Sequence, residues 1–305
     1  MVVLSVIFPV FNNHSVASVT LPAILNQKLP AGLTFEVVAV DDGSSRPTAN
    51  WLASQDHPAL RSVTQLSNSG RAAARNAGVR IARGDVIVFL DSDVLVYDNF
   101  LFAHSETLGL LSKNSGAPDI STGVLCDSYL AGGLVDRQRP TVRLGLPHFT
   151  TANVAVRRGL LNKLDNAASG PFDAVTFTHY GWEDMDLYMR LRALGAQQKR
   201  SSMAFGFHLC RPFYPDYLTA MLSKEADRAA MALRMLKKHP TLGTRLVIQK
   251  TLLHRLVWEI FSLGGILNSR TLGPVLGWLA DREYNYLAEV IARHTILNPA
   301  YARQV

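Results

Sequence analysis

The sequence holds only two cysteines, Cys126 and Cys210, in 305 residues. Two cysteines that far apart form neither a disulfide scaffold nor a zinc-site spacing, so reduced thiols and a cytoplasmic location are the expectation. Long hydrophobic runs are also missing. The opening residues, MVVLSVIFPVFNN, have no basic segment and no small-residue cleavage site, and they read as a first strand rather than a leader. The longest apolar stretch, LVWEIFSLGGILNSRTLGPVLGWLA, is interrupted by Asn268, Ser269 and Arg270 before it reaches the roughly eighteen residues that a transmembrane helix needs. Internal repeats and low-complexity tracts are absent, which excludes a repeat array. Charge is sparse over most of the chain. The net charge is +7, yet from Thr219 onward twelve Lys or Arg face six Asp or Glu, which is +6 and leaves +1 for residues 1–218. A basic, apolar-rich helical tail suits peripheral contact of residues 219–305 with the anionic cytoplasmic face of a membrane. Helical packing or a homodimer contact is the alternative use of that segment. No DNA- or RNA-binding motif is present, so nucleic acid is not an expected partner.

What the sequence does contain is 48% apolar residues, enough for a sizeable core, and an ordered alternation of patterns. Apolar β-branched runs (VVLSVIFPV, FEVVAVDD, RSVTQL, DVIVFLDSD) alternate with helix-period segments at residues 14–28, 46–55 and in GRAAARNAGVRIA. This order predicts an α/β fold with a mostly parallel sheet flanked by helices. Ligands bind such sheets beyond the carboxyl ends of the strands. Three of those ends are polar here: PVFNN, DDGSS and DSD. Beyond residue 112 the pattern loosens, with a long loop expected from Ala131 to Phe149 that would serve as a lid. A strand at TTANVAV and a helix starting in GWEDMDLYMRLRALG follow, and after GFHLCRP the chain reads as helical. The expected division is 1–215, with halves of about 1–112 and 113–215, and a basic helical extension at 216–305.

Several residues in these segments suit particular chemistry. Phe11 offers a ring and Asp42 a carboxylate, which are what a nucleobase needs for stacking and for its imide N–H. Asp42 and its neighbour Asp41 also suit an ordinary Asx turn before Gly43. Arg71 and Arg75, four residues apart near a helix start, share a face and could steady a diphosphate or brace an acidic cluster. Asp91 and Asp93 are predicted to project from one side of a strand end, because alternate strand residues share a face. Two such carboxylates suit a Mg²⁺- or Mn²⁺-type cation that completes its shell with water and phosphate oxygens. Asp184 and Asp186 are both available as a general base, Asp186 also suits the helix dipole, and Trp182 offers either a flat platform to an acceptor sugar or a core side chain. His208, between Phe207 and Leu209, reads by itself as a core residue.

The segments SVIFPVFN, VVAVDDGS, NSGRAAARNAG, GDVIVFLDSD, TTANVAVRR, GPFD and GWEDMDLYMR occur in one order. In that order, across roughly residues 3–210, the sequence resembles the family 2 glycosyltransferases, inverting enzymes of the GT-A fold. The resemblance implies that Pro9, Phe11 and Asp42 line a base pocket, with Asp91 near the ribose. It implies that Asp93 ligates Mn²⁺ or Mg²⁺, that His208 completes the metal site, and that Glu183 and Asp184 form the acceptor-side motif with the aspartate as base. The donor would be a nucleotide-diphospho-sugar, most commonly a UDP-sugar. The acceptor would be a saccharide or lipid-linked hydroxyl in surface polysaccharide or glycolipid synthesis. Phe11 stands where the family often has tyrosine, which keeps the stacking surface without the hydroxyl. Two other readings are a non-catalytic sugar-nucleotide-binding or scaffold protein on the same fold, and a sugar nucleotidyltransferase. The latter wants a glycine-rich basic signature after the first strand, which PVFNNHS lacks.

Overall fold

A computed structural model describes residues 4–111, 116–131, 134–135, 141–142, 149–164, 170–210, 217–281 and 285–304. The loop expected from Ala131 to Phe149 falls largely outside them. The chain folds as two compact units, residues 1–178 with 183–210, and residues 179–182 with 211–305.

In the first unit β1 (Leu4–Val10), α1 (His14–Leu25), β2 (Phe35–Asp41), α2 (Arg46–Ala53), β3 (Leu60–Thr64), α3 (Arg71–Ile81) and β4 (Val86–Leu90) alternate as the sequence pattern predicts. The remainder comprises β5 (Val94–Val96), α4 (Phe100–Thr107), β6 (Ile120–Ala131), β7 (Leu134–Val135), β8 (Thr141–Val142), β9 (Asn153–Arg157), α5 (Arg158–Asn162), α6 (Glu183–Ala193) and β10 (Gln198–Cys210). Among the described residues the main sheet runs β3-β2-β1-β4-β9-β6-β10-β5. The first four strands are parallel, and β9 then pairs antiparallel with both β4 and β6. The strands β6 and β10 were hidden in the sequence, where the chain beyond residue 112 reads as irregular, and the short β5 lies in the apolar residues that follow DSD.

The central strands are buried on both faces, which is why β1 and β4 are unbroken apolar runs. Their side chains still sort by the two-residue period. Phe8, Val37, Ala39, Val88 and Leu90 pack with Leu21 of α1 and Phe100 of α4. Ile7, Val38, Val40, Ile87 and Phe89 pack with Ala77 of α3 and Leu187 and Leu191 of α6 on the opposite face. Helix α3 comes close because it presents small residues: a Cβ on Gly78 would lie 2.6 Å from Ile7 Cγ2. Strand order reverses at β1, which has β2 on one side and β4 on the other, and sheets of this kind take their ligands beyond the carboxyl ends of the strands at such a point.

A buried polar link joins α4 to β6 and β9. The Asn153 amide nitrogen donates to the carbonyls of Val124 and Ala204, which turns its oxygen to His104 Nε2 at 3.0 Å. His104 therefore carries its proton on Nε2, and Nδ1 accepts from Ser121 Oγ at 2.8 Å. Burial lowers the His104 pKa to about 4, only partly offset by the bond to Asn153.

The second unit holds α7 (Tyr217–Lys238), α8 (Leu242–Val247), α9 (Leu252–Phe261), α10 (Ser269–Asp281), α11 (Asn285–Ala292) and α12 (Asn298–Gln304). Leu218, Leu276, Leu279, Ala288, Ala292 and Leu297 form its core. The Arg228 guanidinium lies over the Tyr301 ring at 4.2 Å, and the Tyr301 hydroxyl donates to the Ile248 carbonyl at 2.8 Å. No described helix is long and apolar enough to cross a membrane.

Because the unfolded chain binds a proton at His104 near pH 6.5 and the folded chain does not until about pH 4, stability rises with pH across that window. The size of the effect is on the order of 3 kcal/mol. Urea unfolding at pH 7 and pH 5 should show a smaller pH-dependent loss for His104→Gln than for the wild type.

Candidate active site

Polar loops cluster beyond the carboxyl ends of β1, β2 and β4. After β1, Phe11 is exposed, and Asn12 takes a left-handed conformation with φ 47°. The Asn12 carboxamide oxygen accepts from the Ser45 amide and hydroxyl, both at 2.8 Å, which clasps this loop to the one after β2. Pro9 is half-buried, beyond the last β1 residue that pairs with β4. The Asx turn forms at Asp41, whose Oδ1 accepts from the Ser44 amide at 2.9 Å. Asp42 instead accepts from the amides of Ser69 (2.8 Å) and Gly70 (3.0 Å), fixing β2 to the start of α3. Burial raises the Asp42 pKa against the lowering effect of these two amides. Gly43 is required here: its φ is 71°, and a Cβ would strike the Ser67 backbone at 2.4 Å.

The geometry corrects the expectation for Asp91 and Asp93. β4 ends at Leu90, and the two aspartates lie in a turn closed by the Val94 amide on the Asp91 carbonyl, so the period-2 argument does not apply. They diverge. Asp91 Oδ1 accepts from Arg75 Nη2 at 2.7 Å, while Asp93 Oδ2 stands 3.5 Å from His208 Nε2. Ser92 is held between them, its carbonyl accepting from Thr20 Oγ1 at 2.7 Å.

Arg75 is only 1% exposed and is positioned by the first turns of α3. Its Nη1 donates to Glu183 Oε1 at 3.2 Å, so one guanidinium joins the turn after β4 to the start of α6, in the bracing arrangement. Attraction from Asp91 and Glu183 outweighs burial and raises the Arg75 pKa further. Arg71, exposed on the first turn of α3, contributes positive charge that helps to lower Asp93.

Helix α6 opens with Glu183 and Asp184 in adjacent but different surroundings. Glu183 has the Arg75 cation, whereas Asp184 Oδ1 accepts from the Met185 amide at 2.8 Å. Burial first, and then the neighbouring Glu183 charge, push the Asp184 pKa up to about 7. A buried carboxylate raised in this way is the pattern expected of a site that moves protons near neutral pH. Asp186 is fully buried and paired with Arg190 one turn on at 2.8 Å, a structural role. Trp182 belongs to the second unit, where its Nε1 donates to the Arg228 carbonyl at 2.9 Å. Its φ of 73° follows a φ of 106° at Gly181, a costly conformation for a bulky residue immediately before α6.

His208 lies on β10 directly across from Asp127 on β6, and its Nδ1 is 2.8 Å from the Asp127 carboxylate. Cys210 Sγ is 3.3 Å from the same nitrogen. Burial lowers the His208 pKa, but the bonds to Asp127 and Asp93 prevail and hold it well above 6.5. Burial raises Asp93, and the His208 hydrogen bond and charge bring it below the usual carboxylate value. Asp127, His208 and Cys210 present ligand atoms within 4.8 Å of one another, a group that could hold a metal ion. Asp93 Oδ1 is buried with no hydrogen-bond partner among the described residues, which fits an oxygen waiting for a cation. The Asp93 carboxylate and the His208 imidazole suit Mn²⁺ or Mg²⁺, whereas the Cys210 thiol is a softer ligand. The sequence reading missed Asp127 and Cys210. The His208-x-Cys210 spacing was a usable signal, since strand residues two apart share a face, but Asp127 is brought in only by the β6–β10 register.

Residues 5–108 match the model of the family described as glycosyl transferase family 2, which bears out the resemblance carried by the motifs. The chain is 28% identical to hyaluronan synthase of Pasteurella multocida over 67% of its own length, and it spans 24% of that protein. Its fold is similar to that of S. aureus TarS 1–349 in complex with UDP-GlcNAc, with a TM-score of 0.51, 17% identity, and coverage of 95% of this chain and 90% of that one. It is also similar to GalNAc-T7 with UDP, GalNAc and Mn²⁺, with a TM-score of 0.51, 14% identity, and coverage of 69% and 44%. The fold is GT-A, with a helical C-terminal region.

Replacing Arg75 by Gln would leave Asp91 and Glu183 facing each other without a cation. A loss of about 3–5 kcal/mol is expected, measured as a lower urea midpoint at pH 7. Stability of Arg75→Gln equal to that of the wild type would remove the bracing role.

Proposed function

We propose that the chain is an inverting, metal-dependent glycosyltransferase that moves a sugar from a nucleotide-diphospho-sugar, in the first place a UDP-sugar, to a hydroxyl of a saccharide or lipid-linked acceptor. The observation that carries this reading is the pair of neighbouring centres at one sheet edge: Asp184 with a pKa near 7, and the Asp93–His208 pair with its orphaned carboxylate oxygen. Inversion at an anomeric carbon in a single displacement needs one base and one place for the leaving diphosphate's charge. Asp184 takes the proton from the acceptor hydroxyl. The acceptor oxygen then forms its bond to the anomeric carbon as the bond from that carbon to the diphosphate oxygen breaks, and the nucleoside diphosphate leaves with the electron pair.

Asp93 and His208 would hold Mn²⁺ or Mg²⁺, which when bound neutralises charge developing on the diphosphate. Asp127 orients His208: by accepting from Nδ1–H it leaves the Nε2 lone pair turned toward Asp93. Phe11 supplies a stacking face for the base. Asp42 accepts the imide N–H through oxygen lone pairs that its two backbone partners leave open. Glu183 acts as a positioning residue, held by Arg75 beside the base. The polysaccharide synthase relative supports a saccharide acceptor, and the UDP-GlcNAc complex supports a UDP donor.

Slow hydrolysis of UDP-, GDP-, dTDP- and CMP-sugars with Mn²⁺, Mg²⁺ or EDTA is the direct test. One nucleotide sugar should turn over with metal only, and Asp93→Ala should abolish that turnover. Metal-independent hydrolysis equal in Asp93→Ala would sink the metal assignment. Asp184→Asn should keep donor binding while turnover falls about 10²–10⁴-fold. Donor binding without turnover in the wild type, given acceptor, would instead indicate a binding protein. In the wild type, kcat/KM should fall about tenfold per pH unit below roughly pH 7.

A further inference from the structure

Helix α9 is built the wrong way round for a helix of a water-soluble unit. At 100° per residue, Leu252, Leu253, Leu256 and Ile260 fall within an arc of about 100°. All four face water, at 74%, 69%, 53% and 72% exposure, and none of the ten residues of α9 is buried. The apolar face continues through the 3-10 turn Leu263–Gly265 to the exposed Leu263 and Ile266. The polar and aromatic side of α9 is the one tied to its own unit. Trp258 Nε1 donates to Gln249 at 3.2 Å, and the rings of Trp258 and Phe261 lie against His294, whereas Glu259, at the edge of the aliphatic arc beside Leu252, is paired with Arg303 at 2.9 Å. The aliphatic face is thereby fixed outward.

Charge indicates what covers it. From Lys237 to Ala280 the sequence has six Lys or Arg (Lys237, Lys238, Arg245, Lys250, Arg255, Arg270) against one acidic residue, Glu259, which Arg303 neutralises. A second copy would bring two such basic faces together. An anionic bilayer surface complements both features at once. We infer that the exposed aliphatic face of α9 and the following turn seats in the headgroup region of an anionic lipid surface, with the surrounding Lys and Arg on the phosphates. No described helix can span the bilayer, so the contact is interfacial. The inference stands on the second unit alone and does not rest on the glycosyl-transfer reading.

The test is flotation of the full chain with vesicles of phosphatidylcholine alone or mixed with phosphatidylglycerol, at low and high salt. The chain should float at least about tenfold more with the anionic vesicles, and salt should weaken that binding by screening its electrostatic part. Leu253→Asp with Ile260→Asp should lower the binding at least about tenfold with an unchanged melting temperature, since both side chains are already in water. The milder Leu256→Ser should weaken it less. Absence of flotation at low salt overturns the inference, as does flotation equal on both vesicles. Flotation undiminished by the double substitution overturns it too, because charge elsewhere would then suffice. A dimer in sedimentation equilibrium that the double substitution dissolves, without vesicle binding, would assign the face to a second copy.

Discussion

The buried Arg75 guanidinium is the interaction on which the site depends. Removing a guanidinium from water is costly, and the cost is offset here by two carboxylates from separate parts of the chain, Asp91 and Glu183. Each then has its position set by the same planar group. Asp91 is drawn toward α3, which bends the turn after β4 and separates Asp91 from Asp93. Glu183 is drawn to the same helix at the start of α6, with Asp184 beside it. The elevated Asp184 pKa follows from its burial and from the Glu183 charge beside it, which the attraction of Arg75 only partly offsets. The small residues of α3 serve the same end. With Ala77 and Gly78 against the sheet, α3 approaches closely enough for Arg75 to reach the strand ends.

The second centre uses the opposite device. His208 carries positive charge between Asp93 and Asp127, so the acidic residues are compensated by a group that can give up its proton. A divalent cation held there would take over the role of that proton, and its binding would be coupled to proton release. A permanent cation thus braces one centre, and an exchangeable one occupies the other.

Much of this was legible in the sequence because it resides in local patterns. The alternation of β1 through β4 with α1 to α3 follows from periodicity, Phe11, Asp42 and Asp93 sit just past the ends of strands that periodicity marks, and Arg75 lies in the second turn of α3. What was not legible depends on pairing between distant segments. Asp127 has no motif of its own and acquires a partner only when β6 lies beside β10. The divergence of Asp91 and Asp93 could not be read from spacing, since the apolar run VIVFL continues into the aspartates with no sign that the strand stops at Leu90. The outward face of α9 was hidden for a similar reason. An amphipathic pattern states that two faces differ, and only the contacts of Trp258 and Phe261 with His294 settle which one turns inward.

Strands β6 and β10 run in parallel, but their register shifts between Arg200 and Phe205. Arg200 pairs with Thr122 and Phe205 with Val124, so β10 takes five steps where β6 takes two. Odd and even steps exchange the faces of a strand, and the mismatch therefore reassigns which β10 residues point toward Asp127. The placement of His208 is in this sense a matter of counting. An insertion or deletion of a single residue in the irregular stretch between Arg200 and Phe205, outside every motif, would turn the imidazole to the other side of the sheet and leave those motifs intact.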